Sequence, residues 1–108
     1  MTIKCTKVTT RPGTDVPWHF DKSLGIATLE LQKYINETYR KTGKLISDSN
    51  FVSKDGLKLT YTALWDSMES YNEYDVDPAF DEFRAKRNAY YASSGCIVGN
   101  VKLTEVQT

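Results

Sequence analysis

From residue 57 to residue 65, Leu57, Leu59, Tyr61, Ala63 and Trp65 alternate with Lys58, Thr60, Thr62 and Leu64. Successive side chains on a strand point to opposite faces, so this period of two commits the segment to a strand with one apolar face and one amphipathic face. Residues 45–54 have strand composition too, and Asp55-Gly56 separates the two runs. The sequence therefore predicts an antiparallel hairpin closed by a two-residue turn of type I′. A lone hairpin cannot shield such an apolar face, so the rest of the chain has to supply the cover.

The flanking segments do so. Residues 3–11 are rich in β-formers and stop at Pro12-Gly13, which predicts a first strand ended by a turn. Leu24, Ala27, Leu31, Tyr34, Ile35 and Thr38 recur at steps of three and four, the stripe of an amphipathic helix. Asp21 or Ser23 can cap its start, and Gly43 suits the position just past its end. Beyond the hairpin, Asp66-Ser67-Met68-Glu69 has the form of a capping box with Asp66 as the cap, opening a short helix to about Tyr74. Asp77-Pro78 is a second start signal, followed by Phe80, Phe83, Arg87 and Tyr90 on one face and Gly95 as the stop. Residues 96–106 make a last strand with Ile97, Val101 and Leu103 on one side and Cys96, Val98 and Val106 on the other. The order is βαββαβ: one ferredoxin-like α+β domain over residues 1–108, with a four-stranded antiparallel sheet.

In that topology both helices cover the same face of the sheet. The other face carries threonines and apolar residues rather than a strongly polar set, and the last strand reads apolar on both sides. A homodimer that places sheet on sheet is the expected cover, the alternative being a monomer whose threonine-rich sheet face is simply wet.

Charge narrows the classes of partner. Lys and Arg total 14, as do Asp and Glu. The balance lacks the basic excess of a protein that tracks phosphate backbones, and no aromatic-basic RNA-recognition signature occurs, so no nucleic-acid partner is expected. No apolar run is long enough to span a bilayer, and residues 1–6 lack the apolar stretch of a secretory signal, so the expected setting is cytoplasmic, away from membranes. Cys5 and Cys96 form no ligand-spacing motif and read as buried thiols in neighbouring strands. With one histidine in the chain, a histidine-rich metal centre is excluded, and no metal is expected.

His19 is the one side chain that titrates unperturbed near neutrality, which makes it the candidate general base; the plainer account is an ordinary loop histidine beside Trp18 and Phe20. Trp65 ends its strand on the inward side, where it fills the core or walls a cavity. Tyr34, Tyr61, Phe83 and Tyr90 fall on predicted inward faces. Most such rings are packing, yet several phenols converging on one cavity would suit a planar ligand. Arg87 sits within an apolar stripe, either packing its stem while its head reaches water or anchoring an anionic ligand.

The segment Ala63-Leu64-Trp65-Asp66-Ser67-Met68-Glu69-Ser70-Tyr71 resembles the strand-end Trp-x-Ser-x-Glu signature of the antibiotic-biosynthesis-monooxygenase (ABM-like) group in the dimeric α/β-barrel superfamily. The order of elements resembles that group over nearly the whole chain. The resemblance implies a dimeric α/β barrel that binds a small aromatic or apolar molecule. In the cofactor-independent monooxygenases of the group it also implies oxidation without a bound cofactor, with Trp65, Asn72 and the tyrosines as matching residue types. The reading of the residues themselves adds His19 as a catalytic candidate and Tyr34, Tyr61, Phe83, Arg87 and Tyr90 as substrate-binding candidates. Haem-degrading relatives use an asparagine on the first strand and a histidine on the helix after the third; this chain has neither there, so that route to haem iron is closed. The superfamily also hosts members without activity, and the alternative is a non-catalytic binding or assembly module on the same scaffold.

Overall fold

The computed structural model describes residues 2–18 and 29–106. In chain order they form β1 (Thr2–Thr10), α1 (Leu29–Ile35), a wide helical turn over Asn36–Arg40, β2 (Leu45–Val52), β3 (Lys58–Trp65), α2 (Met68–Asp75), a 3-10 turn at Pro78–Phe80, α3 (Asp81–Ser94), β4 (Ile97–Val98) and β5 (Lys102–Val106). β3 lies between β2 and β1, and β4 and β5 both pair with the far side of β1, every pair antiparallel. This is the ferredoxin-like α+β arrangement that the order of elements predicts. Among the described residues no helix is long and apolar enough to cross a membrane. The expected caps Asp21 and Ser23 and the stripe residues Leu24 and Ala27 lie outside the described residues.

The β1–β3 register sorts the side chains by face. Ile3 stands opposite Trp65, Cys5 opposite Ala63, Lys7 opposite Tyr61 and Thr9 opposite Leu59. Directly opposed residues share a face, so these eight point toward the helices. At the Trp65 end that face is dry: Ile3, Cys5, Leu45, Ala63 and Trp65 are buried together with Tyr39 and Phe80 from the helical layer. Trp65 meets Tyr39 edge-on at 5.8 Å between ring centroids and Tyr74 at 5.0 Å, and Tyr74 meets Phe80 at 4.9 Å. Each such ring pair adds roughly 0.5–1.5 kcal/mol beyond its buried area. At the other end the same face turns polar, with Lys7 and Thr9 continuing the alternation.

Three local expectations are corrected. The hairpin turn is not type I′, which needs positive φ at both central residues. Gly56 N–H donates to Ser53 O at 2.9 Å, and within that turn only Gly56, at φ +77°, is left-handed. The result is a four-residue turn closing on a left-handed glycine, as in bulged hairpins. Asp55 Oδ1 favours it by accepting from Ser53 Oγ at 2.6 Å and from the Leu57 N–H at 3.0 Å.

The cap of α2 is Ser67 rather than Asp66, because Ser67 Oγ is the oxygen that accepts the Ser70 N–H, at 3.1 Å. Asp77 does cap its turn, accepting from the Ala79 N–H at 2.9 Å, and Gly43 and Gly95 take the left-handed conformations expected of helix stops.

The last strand is broken. Gly99 N–H still reaches Val8 O at 2.8 Å, but the ladder then lapses before β5. The break reverses the alternation: Val98 stands opposite Thr9 and Leu103 opposite Cys5 on the helix-side face, while Ile97 and Val106 fall on the outer one. Cys5 and Cys96 are both free and buried, Cys5 within β1 and Cys96 just ahead of β4.

Candidate functional site

Where the inner sheet face turns polar, the helices stand off it and leave a cavity of about 630 Å³. Its floor is β1 and β3 with the adjoining part of β2: Cys5, Lys7 and Thr9, Leu59 and Tyr61, Asp48 and Asn50. Its walls are Leu31 and Ile35 from α1, Tyr71 and Tyr74 from α2, and Phe83, Arg84, Arg87 and Tyr91 from α3. The volume suits a small multi-ring molecule, and the rings of Tyr61, Tyr71, Tyr74, Phe80, Phe83 and Tyr91 line it beside a larger set of polar and charged side chains.

Those rings keep their protons. Burial pushes the Tyr61 phenol well up, helped by the carboxylate of Asp48, whose Oδ2 accepts from Tyr61 Oη at 3.4 Å. Tyr71 is pushed up to about 12 by burial and then by the charge of Asp75. Tyr74 and Tyr91 are raised by burial even though arginines beside them pull the other way. Each phenol is thus a neutral hydrogen-bonding group at physiological pH. The Cys5 thiol is also pushed up by burial, so it stays protonated and unreactive.

The cations differ in how they are occupied. Arg40 clasps Asp48 with two bonds of 3.0 and 2.9 Å. Arg84 donates to Tyr74 O at 2.7 Å and lies over the rings of Tyr74 and Phe80. Arg87 lies 5.9 Å from the Phe83 ring centre, but its buried Nε has no hydrogen-bond partner. Lys7 is held below the ordinary lysine range, first by burial and then by the charge of Arg87. Among the described residues no group of three or more His, Cys, Asp or Glu side chains is placed to hold a metal ion.

Of the residues singled out from sequence, the cavity brings together Tyr61, Phe83 and Arg87. Trp65 lies in the core at 2% exposure, behind the wall, with its ring against Tyr71 and Tyr74. Asn72 is exposed on α2. Tyr34 turns to Asp77, donating to Oδ2 at 2.7 Å, and Tyr90 donates to Pro17 O; neither lines the cavity. His19 lies outside the described residues. Sequence reasoning missed Lys7, Tyr71, Tyr74 and Arg84. For Lys7 the signal was available, because it continues the inward alternation of Ile3 and Cys5.

No family model matches the sequence, and no curated protein matches it. Solved structures do. The chain is similar to SnoaB, a cofactor-independent oxygenase from Streptomyces nogalater, with a TM-score of 0.63 and 8% identity over 99% of this chain and 94% of that one. It is similar to a monooxygenase from ActVA-Orf6 of Streptomyces coelicolor, solved with nanaomycin D, at TM-score 0.61 and 23% identity over 94% of this chain and 82% of that one. A dimeric ferredoxin-like protein from an uncultured marine organism gives TM-score 0.62 and 14% identity over 95% of this chain and 84% of that one. Identities this low speak to architecture alone. In architecture, the chain is a ferredoxin-like α+β domain.

Proposed function

We propose that this protein is a homodimeric ABM-like domain that binds a small aromatic or apolar molecule in the cavity between sheet and helices, and oxidises it without a bound cofactor. The observation that carries this reading is the ring-lined cavity of about 630 Å³ in a fold shared with a cofactor-independent oxygenase. A dry, tightly packed interlayer would have favoured a purely structural role. Tyr61, Phe83 and Arg87 are the substrate-facing residues, Tyr71 and Tyr74 complete the aromatic wall, and Trp65 braces that wall from behind. In such a site the ligand supplies the electrons for oxygen, and the protein orients it, excludes water and supplies hydrogen bonds.

The dimer would form through the outer face of the sheet. Val8, Phe51 and Ile97 lie there, Phe51 being 70% exposed and Ile97 71%, among threonines of β1 and β3. A second copy related by a twofold axis covers such a face with its own equivalent.

Native mass spectrometry of protein taken gently from a cell extract tests both parts. A species at twice 12.3 kDa with a small bound mass is the expected result, and a clean monomer overturns the dimer. An oxygen electrode then separates the two classes of function. Uptake with the identified ligand supports the oxygenase, and tight binding without uptake assigns the cavity to a non-catalytic binding module.

A further inference from the structure

Lys7 and Arg87 both line the cavity, from opposite layers, Lys7 from the sheet and Arg87 from α3, and the charge of Arg87 acts on Lys7. Neither forms an ion pair among the described residues. The two carboxylates at the cavity wall do not answer them: Asp48 is clasped by Arg40, and Asp75 bonds to neither. Arg87 Nε is buried and unpartnered, which folded proteins seldom leave so. Arg84 next to it already donates to Tyr74 O and lies over the rings of Tyr74 and Phe80, which leaves Arg87 and Lys7 as the cations free to meet a ligand.

Two cations at one cavity with no counter-ion among the described residues repel and are poorly solvated. Placing one on the inner face of β1 after Ile3 and Cys5, and the other within the apolar stripe of α3, costs the fold stability, which is the pattern expected of residues kept for a ligand. The rings around them favour a planar framework. We propose that the cavity selects aromatic ligands carrying an oxyanion, a carboxylate or an acidic phenolate, and that Lys7 and Arg87 seat that group. This rests on the reading of the cavity as an aromatic-ligand site and adds the charge of the ligand. The Arg87 Nε–H donates to one oxygen and the Lys7 ammonium to the same or the second, both as charge-assisted bonds.

Matched probes test it by calorimetry: naphthoate against naphthamide for the carboxylate, and para-nitrophenolate against para-nitroanisole for the phenolate. The wild-type protein is expected to bind at least one anion about tenfold or more tightly than its neutral partner, and the better arm identifies which oxyanion the site takes. Lys7→Met and Arg87→Met, each confirmed as folded by circular dichroism, should lose most of that preference while still binding the neutral probe. Arg87→Lys, which keeps the charge but not the planar donors, should retain part of it. Equal binding of anion and neutral probe overturns the inference and leaves the aromatic cavity standing. A preference that survives in both Met variants overturns the assignment to Lys7 and Arg87. Binding of no probe at all overturns the ligand-cavity reading together with this one.

Discussion

Tyr39 and Asp77 meet across 2.5 Å, the phenol donating to Oδ2, and Tyr34 donates to the same oxygen at 2.7 Å. The other carboxylate oxygen caps the 3-10 turn through the Ala79 N–H. One carboxylate therefore fastens the first helical segment to the start of the last, across the top of the aromatic core. Burial pushes the Asp77 carboxyl up, but the bonds from Tyr39 and Tyr34 outweigh it and leave the group below the ordinary carboxylate range. A carboxylate depressed in the folded state stabilises above its unfolded value, near about 3.9, and loses that contribution as pH falls through the folded value. Asp77→Asn should cost about 1–2 kcal/mol at neutral pH, and the gap to wild type should narrow below about pH 4. Urea denaturation of both proteins at neutral and acid pH checks the size and the sign.

Trp65 supports the core and only indirectly the cavity. Trp65→Ala should cost about 3–5 kcal/mol, enough to unfold much of the population of a domain this small. Trp65→Phe should cost far less and leave affinity for an aromatic ligand within about twofold, because it still backs Tyr71 and Tyr74. A loss of affinity of about a hundredfold in folded Trp65→Phe would place the indole in direct contact with the ligand.

Lys7 should prove costly to the fold. Its proton is held less firmly in the folded chain, first because of burial and then because of Arg87. The penalty is full below the folded pKa and fades as pH rises toward the ordinary lysine value. Lys7→Met should therefore be more stable than wild type at neutral pH, by about 1 kcal/mol, with the advantage shrinking at alkaline pH. Thermal unfolding at pH 7 and pH 10 reads this directly, and a less stable variant would show that Lys7 holds the layers together.

Phe51 and Ile97 test the outer sheet face. Phe51→Asp or Ile97→Asp should weaken dimerisation by about a hundredfold while leaving the monomer folded, since both side chains are largely exposed within one copy. Sedimentation equilibrium over a range of concentrations measures it, and an unchanged association constant would move the interface elsewhere.

The fold was largely legible because its signals are local and periodic. The alternation of residues 57–65, the glycine stops at 43 and 95 and the Asp77-Pro78 start each act within a few residues, and each holds in the structure. The misplaced details are those where two local devices compete. Ser67 outdoes Asp66 as a cap one residue away, and a single left-handed glycine replaces the paired positive φ of a tighter turn. The break in the final strand follows Gly99, where an added Cβ would lie 3.0 Å from Val8 O. The candidate site was far less legible. A cavity is set by how far two layers stand apart, which depends on side chains from three strands and three helices at once. Tyr34 and Tyr90 satisfy an inward periodicity as well as Tyr61 does, but their hydroxyls have partners elsewhere.

The interruption between β4 and β5 has a bearing on solubility. A long, flat, unpaired strand at the rim of a sheet invites foreign strands to add on, and such growth has no natural end. Here one rim is cut after Val98, and the other, β2, carries a register shift between Leu45 and Ser47 and the polar run Ser47, Asp48, Ser49 and Asn50. Neither rim offers a template for continuing the ladder. The stickiest outward surface is instead the broad face bearing Phe51 and Ile97, and in the proposed dimer association through it would use up the surface it needs and stop at two.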